Sequence, residues 1–113
     1  MAPLPEPLPQ PPSADEIRLT EILHALSDPG RVKMLMRLAD GEYHSCGMET
    51  WGLDVQKSTV SHHLRTMREA GLLEYRLRGR NKDARLRREV IDARFPGLLD
   101  GLTSAQAVAD VER

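Results

Sequence analysis

Hydroxyl, imidazole and guanidinium groups are concentrated in one stretch, which reads STVSHHLRTMREAGLLEYRLRGRNKDARLRR from Ser58 to Arg88. These groups can form hydrogen bonds and ion pairs with an anionic partner. Lys57 to Arg94 holds eleven basic and five acidic residues, a net charge of +6, whereas the rest of the chain carries −7. This asymmetry favours an anionic partner, although a merely solvated surface would have the same composition.

The beginning of this stretch has the periodicity of an amphipathic helix over Ser58–Ala70. At 100° per residue, Val60, Leu64 and Met67 share one narrow arc. His63 lies at the margin of that arc, so we expect it to be packed and hydrogen-bonded. The opposite side carries Ser58, Ser61, His62 and Arg65. One face is therefore predicted to pack, and the other to present polar groups to a partner.

The period changes after this helix. Residues 73–78 and 84–87 alternate with period two, and the intervening residues 79–83 are rich in turn formers. This pattern predicts a β-hairpin with a basic tip, whose cations are Arg78, Arg80 and Lys82. A two-stranded hairpin is marginally stable alone, so it must pack against the helices.

Helices are predicted on both sides of this stretch. Ser13–Glu16 has the form of a capping box that opens a first helix. Asp28-Pro29 marks the start of a second, and Asp40-Gly41 its end. A short third helix is predicted over residues 46–51, and a last helical region begins near Arg88. The fold class is therefore predicted as mainly α with one β-hairpin, arranged as a winged helix-turn-helix.

Domain organisation follows from composition. Residues 1–12 hold six of the eight prolines and are predicted to be a disordered tail. Residues 13–103 form the predicted domain, and residues 104–113 a C-terminal helical extension or tail. The sequence has neither a signal-peptide pattern nor an apolar run of about 20 residues, so we expect a cytoplasmic protein without a membrane partner.

Other chemistries are poorly represented. A single cysteine cannot form an internal disulfide. No Gly-rich phosphate loop, metal-hydrolase histidine pattern or nucleophile motif is present, so the sequence does not predict an enzyme.

A winged helix-turn-helix is suited to double-stranded DNA, because the major groove admits one α-helix. Ser58, Thr59 and Ser61 are short enough to allow close approach of the helix. Arg65 is long enough to reach a phosphate or a guanine edge. The three hairpin cations would then lie along the backbone, neutralise phosphates and release counterions.

Two stretches, ALSDPGRVKMLMRLADGE and KSTVSHHLRTMREAGLLEYRLRGR, resemble the ArsR/SmtB family of small winged-helix repressors. The resemblance covers about residues 17–88. It implies a homodimer that binds an imperfect inverted repeat, blocks transcription and is released by an inducer. Matched position by position, it implies DNA-reading roles for Gln56, Ser58, Thr59, Ser61, His62 and Arg65. Together with Lys57 and the hairpin cations, these residues form the predicted DNA-binding set.

The resemblance also indicates an effector position. Many family members bind metals through an ELCVCD motif, and here His44 and Cys46 take the places of its two cysteines. This pair could bind a thiophilic or borderline metal, but two ligands are too few for a closed site. Cys46 could instead be a redox-sensing thiol or an inert, half-buried residue. All three interpretations stay open.

The predicted dimer depends on leucines and one isoleucine beyond what a small core needs. In the resembling family the first and last helices pair across the two-fold axis. The residues concerned are Leu19, Ile22, Leu23, Leu26, Leu98, Leu99 and Leu102. The alternative is that they only close the monomer core. The rival function is a winged-helix protein-interaction module without direct DNA readout.

Overall fold

The computed structural model describes residues 8–112. The first three α-helices are α1 (Leu19–Ala25), α2 (Pro29–Arg37) and α3 (Lys57–Glu69). The strands are β1 (His44–Ser45), between α2 and α3, then β2 (Leu73–Arg78) and β3 (Asn81–Leu86). The chain continues through α4 (Arg88–Arg94), α5 (Leu98–Leu102) and α6 (Ala105–Val111). This order confirms the predicted mainly-α winged helix-turn-helix.

Helices and hairpin share one apolar core, because each element turns its apolar stripe inward. The largest fully buried side chains are Ile17, Ile22, Val60, Met34, Leu35, Leu38, Met67, Leu72, Leu73, Leu86, Ile91 and Leu99. Trp51 is the one aromatic residue buried with them among residues 8–112. The hairpin is therefore anchored to the helices through its base, as its marginal intrinsic stability requires.

The start of α2 agrees with the sequence, whereas the start of α1 does not. Asp28 caps α2 and accepts hydrogen bonds from Gly30 N–H at 2.8 Å and Arg31 N–H at 3.3 Å. The capping box at Ser13 closes only a 3₁₀ turn over Ala14–Glu16. Ile17 then has an extended backbone, and α1 begins at Leu19. Burial of the Ile17 side chain in the core explains the break, because packing overrides local helix propensity.

A third strand was not predicted. The sheet has the order β1-β3-β2, and both pairings are antiparallel. Cys46 N–H extends the β1 ladder by donating to the Lys82 carbonyl at 2.9 Å. The predicted helix over residues 46–51 is therefore wrong at its start, and only Met48–Thr50 forms a 3₁₀ turn. A two-residue strand that pairs with a distant segment leaves no periodic signal in its own sequence.

The hairpin turn is shorter than predicted. Arg78 pairs directly with Asn81, so the turn consists of Gly79 and Arg80 alone. Gly79 has φ +63°, and positive φ at only the first central residue is the pattern of a type II′ turn. Lys82 and Asp83, which the sequence placed in the turn, belong to β3.

The predicted proline-rich tail is only partly covered, because residues 1–7 lie outside the described residues. Leu8–Pro12 has neither helix nor strand. Its backbone nevertheless contacts the domain, since the Pro12 carbonyl accepts from Arg87 Nη1 at 2.8 Å. The domain boundaries stay a prediction. None of the helices within residues 8–112 has the length and apolar content that crossing a bilayer requires.

Candidate nucleic-acid interface

Helix α3 separates its packed and exposed faces as the sequence predicts. Val60, Leu64 and Met67 are buried in the core. Four polar side chains on the opposite side are exposed: Ser58, Ser61, His62 and Arg65. The helix begins at Lys57, so Ser58 lies one residue inside it and does not cap it. Among the described residues no side chain caps this end, so its first backbone N–H groups have no side-chain acceptor.

A network beneath α3 fixes its position against α2. Arg31 Nη1 lies 3.1 Å from His63 Nδ1, and its Nε donates to the Ala25 carbonyl. His63 is 7% exposed, as expected of a packed, hydrogen-bonded histidine. Burial lowers the pKa of His63, while Asp28 opposes that shift and Arg31 adds to it. Arg31 donates only to an unprotonated Nδ1, so the geometry holds His63 neutral.

The other end of α3 is closed by a Schellman motif. Gly71 N–H donates to the Arg68 carbonyl at 2.9 Å, and Leu72 N–H donates to the Met67 carbonyl at 3.0 Å. Gly71 has φ +94°, and a Cβ at this position would lie 2.7 Å from Ile17 Cγ1. Only three residues separate α3 from β2, so helix and hairpin have a fixed mutual geometry.

A groove of about 650 Å³ runs between the exposed face of α3 and the hairpin. Its lining residues are Pro9, Lys57, Ser58, Ser61, His62, Arg65, Arg68, Tyr75 and Lys82. Six of them belong to the predicted DNA-binding set: Lys57, Ser58, Ser61, His62, Arg65 and Lys82. The fold thus brings the exposed face of α3 and one hairpin cation into a single concave surface.

The hairpin has two chemically different faces. Side chains alternate along a strand, so the pairs Tyr75–Ala84 and Leu77–Lys82 lie on one face. That face borders the groove, and Lys82 Nζ stands 4.4 Å from the centre of the Tyr75 ring. Arg76 and its partner Asp83 lie on the other face. We call these the groove face and the outer face.

Cations on the outer face are engaged by carboxylates. Arg76 Nε and Arg78 Nε each lie 3.1 Å from Asp83 Oδ2. Hydrogen bonds from Arg78 and then Arg76 lower the pKa of Asp83, so the carboxylate is ionised at neutral pH. Arg85 Nε donates to Glu74 Oε1 at 2.9 Å. The positive charge counted along this sequence is therefore partly neutralised within the hairpin.

The remaining four residues of the predicted set lie outside the groove lining. Gln56 is exposed just before α3, and Thr59 is half-buried in its first turn. Arg80 is exposed in the turn of the hairpin. Arg78 is paired with Asp83 on the outer face. Their DNA-binding roles stay predictions.

Sequence reasoning missed Arg68, Tyr75 and Pro9 as groove residues. Arg68 follows Arg65 by one helical turn, a spacing that could have identified it. Burial raises the pKa of Tyr75 to about 12, so its phenol is neutral and can donate a hydrogen bond. Pro9 belongs to a segment whose approach to α3 has no local sequence signal.

His44 and Cys46 do not form a metal site with other described residues. Among residues 8–112 no three His, Cys, Asp or Glu side chains come together in a way that could hold a metal ion. Both oxygens of Asp40 lie 2.9 Å from His44 Nε2. Cys46 is half-buried against the core, and burial raises its pKa to about 11. At neutral pH the thiol is protonated, whereas the thiolate is the form that binds metals and reacts.

Comparisons with known proteins identify the family. The model of the family described as bacterial regulatory protein, arsR family, matches residues 28–75. The uncharacterized HTH-type transcriptional regulator YceK of Bacillus subtilis is 37% identical over 91 residues, spanning 80% of this chain and 90% of that protein. A transcriptional repressor SmtB homolog of Synechocystis is 38% identical over 64 residues, spanning 57% of this chain and 48% of that protein.

A solved structure supports the fold. An ArsR-like transcriptional regulator from Rhodococcus sp. RHA1 superposes with a TM-score of 0.58 at 23% identity, covering 83% of this chain and 90% of that one. Both relatives are named as transcriptional regulators or repressors. The chain belongs to the ArsR family of bacterial transcriptional regulators.

Proposed function

We propose that this regulator is a cytoplasmic homodimeric repressor that reads an inverted-repeat operator in duplex DNA and is released from it by an effector. The observation that carries the proposal is the groove in which Ser61, His62 and Arg65 face Lys82 across a concave surface. A helix that enters a major groove needs short polar side chains and a long cation at such positions. Lys82 then contacts the adjacent phosphates.

Two exposed leucines support the dimer. Leu19 and Leu23 are 41% and 48% exposed and lie one turn apart on α1. Ile22 and Leu99 close the monomer core instead, and Leu26, Leu98 and Leu102 are partly buried against it. An apolar pair on one helix face suits a self-complementary contact with a second copy. Two recognition helices would then read half-sites about 10 base pairs apart.

The effector is proposed to act without a thiolate at Cys46. The protonated, half-buried thiol and the engagement of His44 by Asp40 disfavour a metal or redox site built on this pair. Replacement of Cys46 by serine should therefore leave effector release unchanged. If Cys46→Ser blocks release by a metal or an oxidant, the effector site includes this residue.

The test of DNA binding is a salt titration on the protein's own promoter. We expect log Kobs to fall linearly with log salt, and Lys82→Ala to reduce the slope by about 0.9, the value for one lost phosphate contact. Arg37→Ala is the matched control, because Arg37 is exposed on α2 outside the groove lining. A flat salt response, or equal effects of the two variants, would favour the protein-interaction module.

The dimer is tested separately by analytical ultracentrifugation. Leu19→Glu combined with Leu23→Glu should shift the protein to a monomer, because carboxylates would be buried in the contact. A control with Val55→Glu removes another exposed apolar side chain, 40% exposed, outside α1. Dissociation by both changes, or by neither, would place the interface elsewhere.

A further inference from the structure

The last residues of the proline-rich segment lie against α3 at the edge of the groove. We call residues 8–12 the N-terminal arm. Pro9 lines the groove together with Ser61 and Arg65. The Gln10 carbonyl accepts a hydrogen bond from Arg68 Nη1 at 3.3 Å. The N-terminal arm therefore occupies part of the surface that duplex DNA would contact.

Two further arginines hold the backbone that follows this contact. Arg87 Nη1 donates to the Pro12 carbonyl at 2.8 Å. Arg94 donates to the carbonyls of Ala14 and Ile17, the latter at 3.0 Å. Pro12 also packs over Gly71, where a Cβ would lie 3.4 Å from Pro12 Cγ. The arm is thus guided across the C-terminal end of α3 by contacts that do not depend on DNA.

Among the three arginines that contact this segment, Arg68, Arg87 and Arg94, the hydrogen-bonding capacity of Arg68 is the least well satisfied. Its side chain is 14% exposed, and its Nη2 lies 3.6 Å from the exposed carboxylate of Glu69. Its buried Nε has no hydrogen-bond partner among the described residues. The hydrogen bond to Gln10 at 3.3 Å is long for a charged donor. A phosphate oxygen at the groove would satisfy this guanidinium better than the arm does.

The charge of the segment opposes DNA. Residues 1–17 contain no Lys or Arg and three acids: Glu6, Asp15 and Glu16. Hydrogen bonds from Ser13 lower the pKa of Asp15 and of Glu16, so both are anionic at neutral pH. An acidic segment gains nothing from phosphates and cannot act as a cationic DNA-binding arm.

Together these observations lead us to infer that the N-terminal arm is an autoinhibitory strap, which competes with the DNA backbone for Arg68 and lowers affinity. The inference depends on the proposed DNA-binding function of the groove. Displacement of the arm exposes the groove edge and gives Arg68 to a phosphate. The strap thereby weakens DNA binding without altering which bases are read.

The experiment compares four full-domain proteins: the complete chain, a variant lacking residues 2–11, Arg68→Ala, and the combination. Each shortened protein is compared with its own full-length parent for operator affinity across salt concentrations. Retention on immobilised heparin gives a second readout that needs no operator. Thermal melting verifies folding, and Pro9→Gly with Pro11→Gly loosens the arm at full length if the shortened chain does not fold.

Removal of the arm should tighten operator binding by about two- to fivefold at low salt. It should also steepen the salt slope by about 0.9, the value for one additional phosphate contact. The same removal in the Arg68→Ala background should give neither change. Heparin elution should shift to higher salt only when Arg68 is present.

Three results would contradict the autoinhibitory strap: weaker operator binding after removal of the arm, an unchanged salt slope, or an equal gain in affinity in the Arg68→Ala background. The two proposals fail separately. If none of the four proteins binds the operator, the proposed function is wrong, whereas the heparin shift still decides whether the arm covers Arg68.

Discussion

Helix α3 and the hairpin both have the sequence pattern of cationic DNA-binding elements, yet they use charge differently. On α3 the exposed face holds Ser61, His62 and Arg65, which no described carboxylate engages. On the hairpin, Asp83 pairs with two arginines and Glu74 with a third. The helix therefore presents open polar groups, whereas the hairpin presents a charge already reduced by internal pairing.

This difference shows why a net charge is a poor measure of a binding surface. The Glu74–Arg85 pair joins partly exposed groups and adds little stability, whereas Asp83 is buried and its charge is compensated by its two arginines. Both carboxylates fix the positions of the hairpin arginines, and both lower the net positive charge that the hairpin presents to DNA. Specific contact is expected from the helix, and a tunable electrostatic contribution from the hairpin.

Both elements depend on the junction at Gly71, so breaking it should have the largest effect. In Gly71→Ala the left-handed backbone and the close approach to Ile17 together should cost roughly 2–4 kcal/mol of unfolding free energy. Gly79→Ala is the control, because its φ is also positive but no heavy atom lies within 4 Å of the added Cβ. Chemical denaturation should show a loss of about 1 kcal/mol of unfolding free energy in Gly79→Ala. Similar losses in both variants would mean that the contact with Ile17 is unimportant.

The comparison itself is tested by one arginine from each element. Arg65→Ala should weaken operator binding by about 1–3 kcal/mol, roughly five- to 150-fold, and relax base specificity. Arg78→Ala should cost only about two- to fivefold, because Asp83 already engages this side chain and partly neutralises it. Fluorescence anisotropy with operator and scrambled duplexes measures both. A larger loss for Arg78 would reverse the assigned roles.

Stability of the packed side of α3 should depend on pH through His63. Its folded pKa lies below the ordinary 6.5, so the unfolded chain binds the proton first as pH falls. This contribution is complete above about pH 6.5 and is lost progressively below it. The melting temperature should therefore fall from about pH 7.5 to about pH 5.5, and fall less in His63→Gln, which keeps an acceptor for Arg31.

His62→Gln serves as the comparison in that measurement, because His62 is exposed on the same helix. Asp28, Arg31 and His62 are the charged or titratable groups that act on His63. The pKa of Asp28 is lowered by the backbone N–H groups of Arg31 and Gly30 despite partial burial, so it titrates below this window. An unaltered pH profile in His63→Gln would show that another group governs the acid loss.

Releasing the outer-face arginines should give the smallest effect. Asp83→Asn removes the carboxylate that holds Arg76 and Arg78, and should tighten binding to non-specific duplex by roughly two- to fivefold. Glu74→Gln changes the net charge equally but frees Arg85, which is farther from the turn. An equal gain from both changes would indicate a long-range charge effect instead of local release.

Much of the interface could be predicted because α3 is long and strongly periodic. Its buried arc, its exposed face and the packing of His63 follow from a rotation of 100° per residue. The capping residue of α2 and the hairpin are equally local signals. Family resemblance added the operator and dimer expectations, which stay proposals.

What could not be predicted depends on contacts between distant segments. Strand β1 exists because His44 and Ser45 pair with β3, and two residues carry no period. Ile17 has an extended backbone before α1 because its side chain is buried in the core. Arg68 faces Pro9 and Gln10 only after folding brings the chain start to α3. Pairing of Asp83 with two arginines likewise depends on the register of the hairpin.

Leu72, which follows Gly71, makes the junction between α3 and the hairpin rigid. Leu72 is held from both directions, because its N–H donates to Met67 and its carbonyl accepts from Arg87 N–H at 2.8 Å. Helix α3 and the hairpin are consequently joined as one rigid unit. Under the proposed function, an effector must therefore change the orientation of this unit relative to that of the second copy, because bending within the unit would first break the two hydrogen bonds of Leu72.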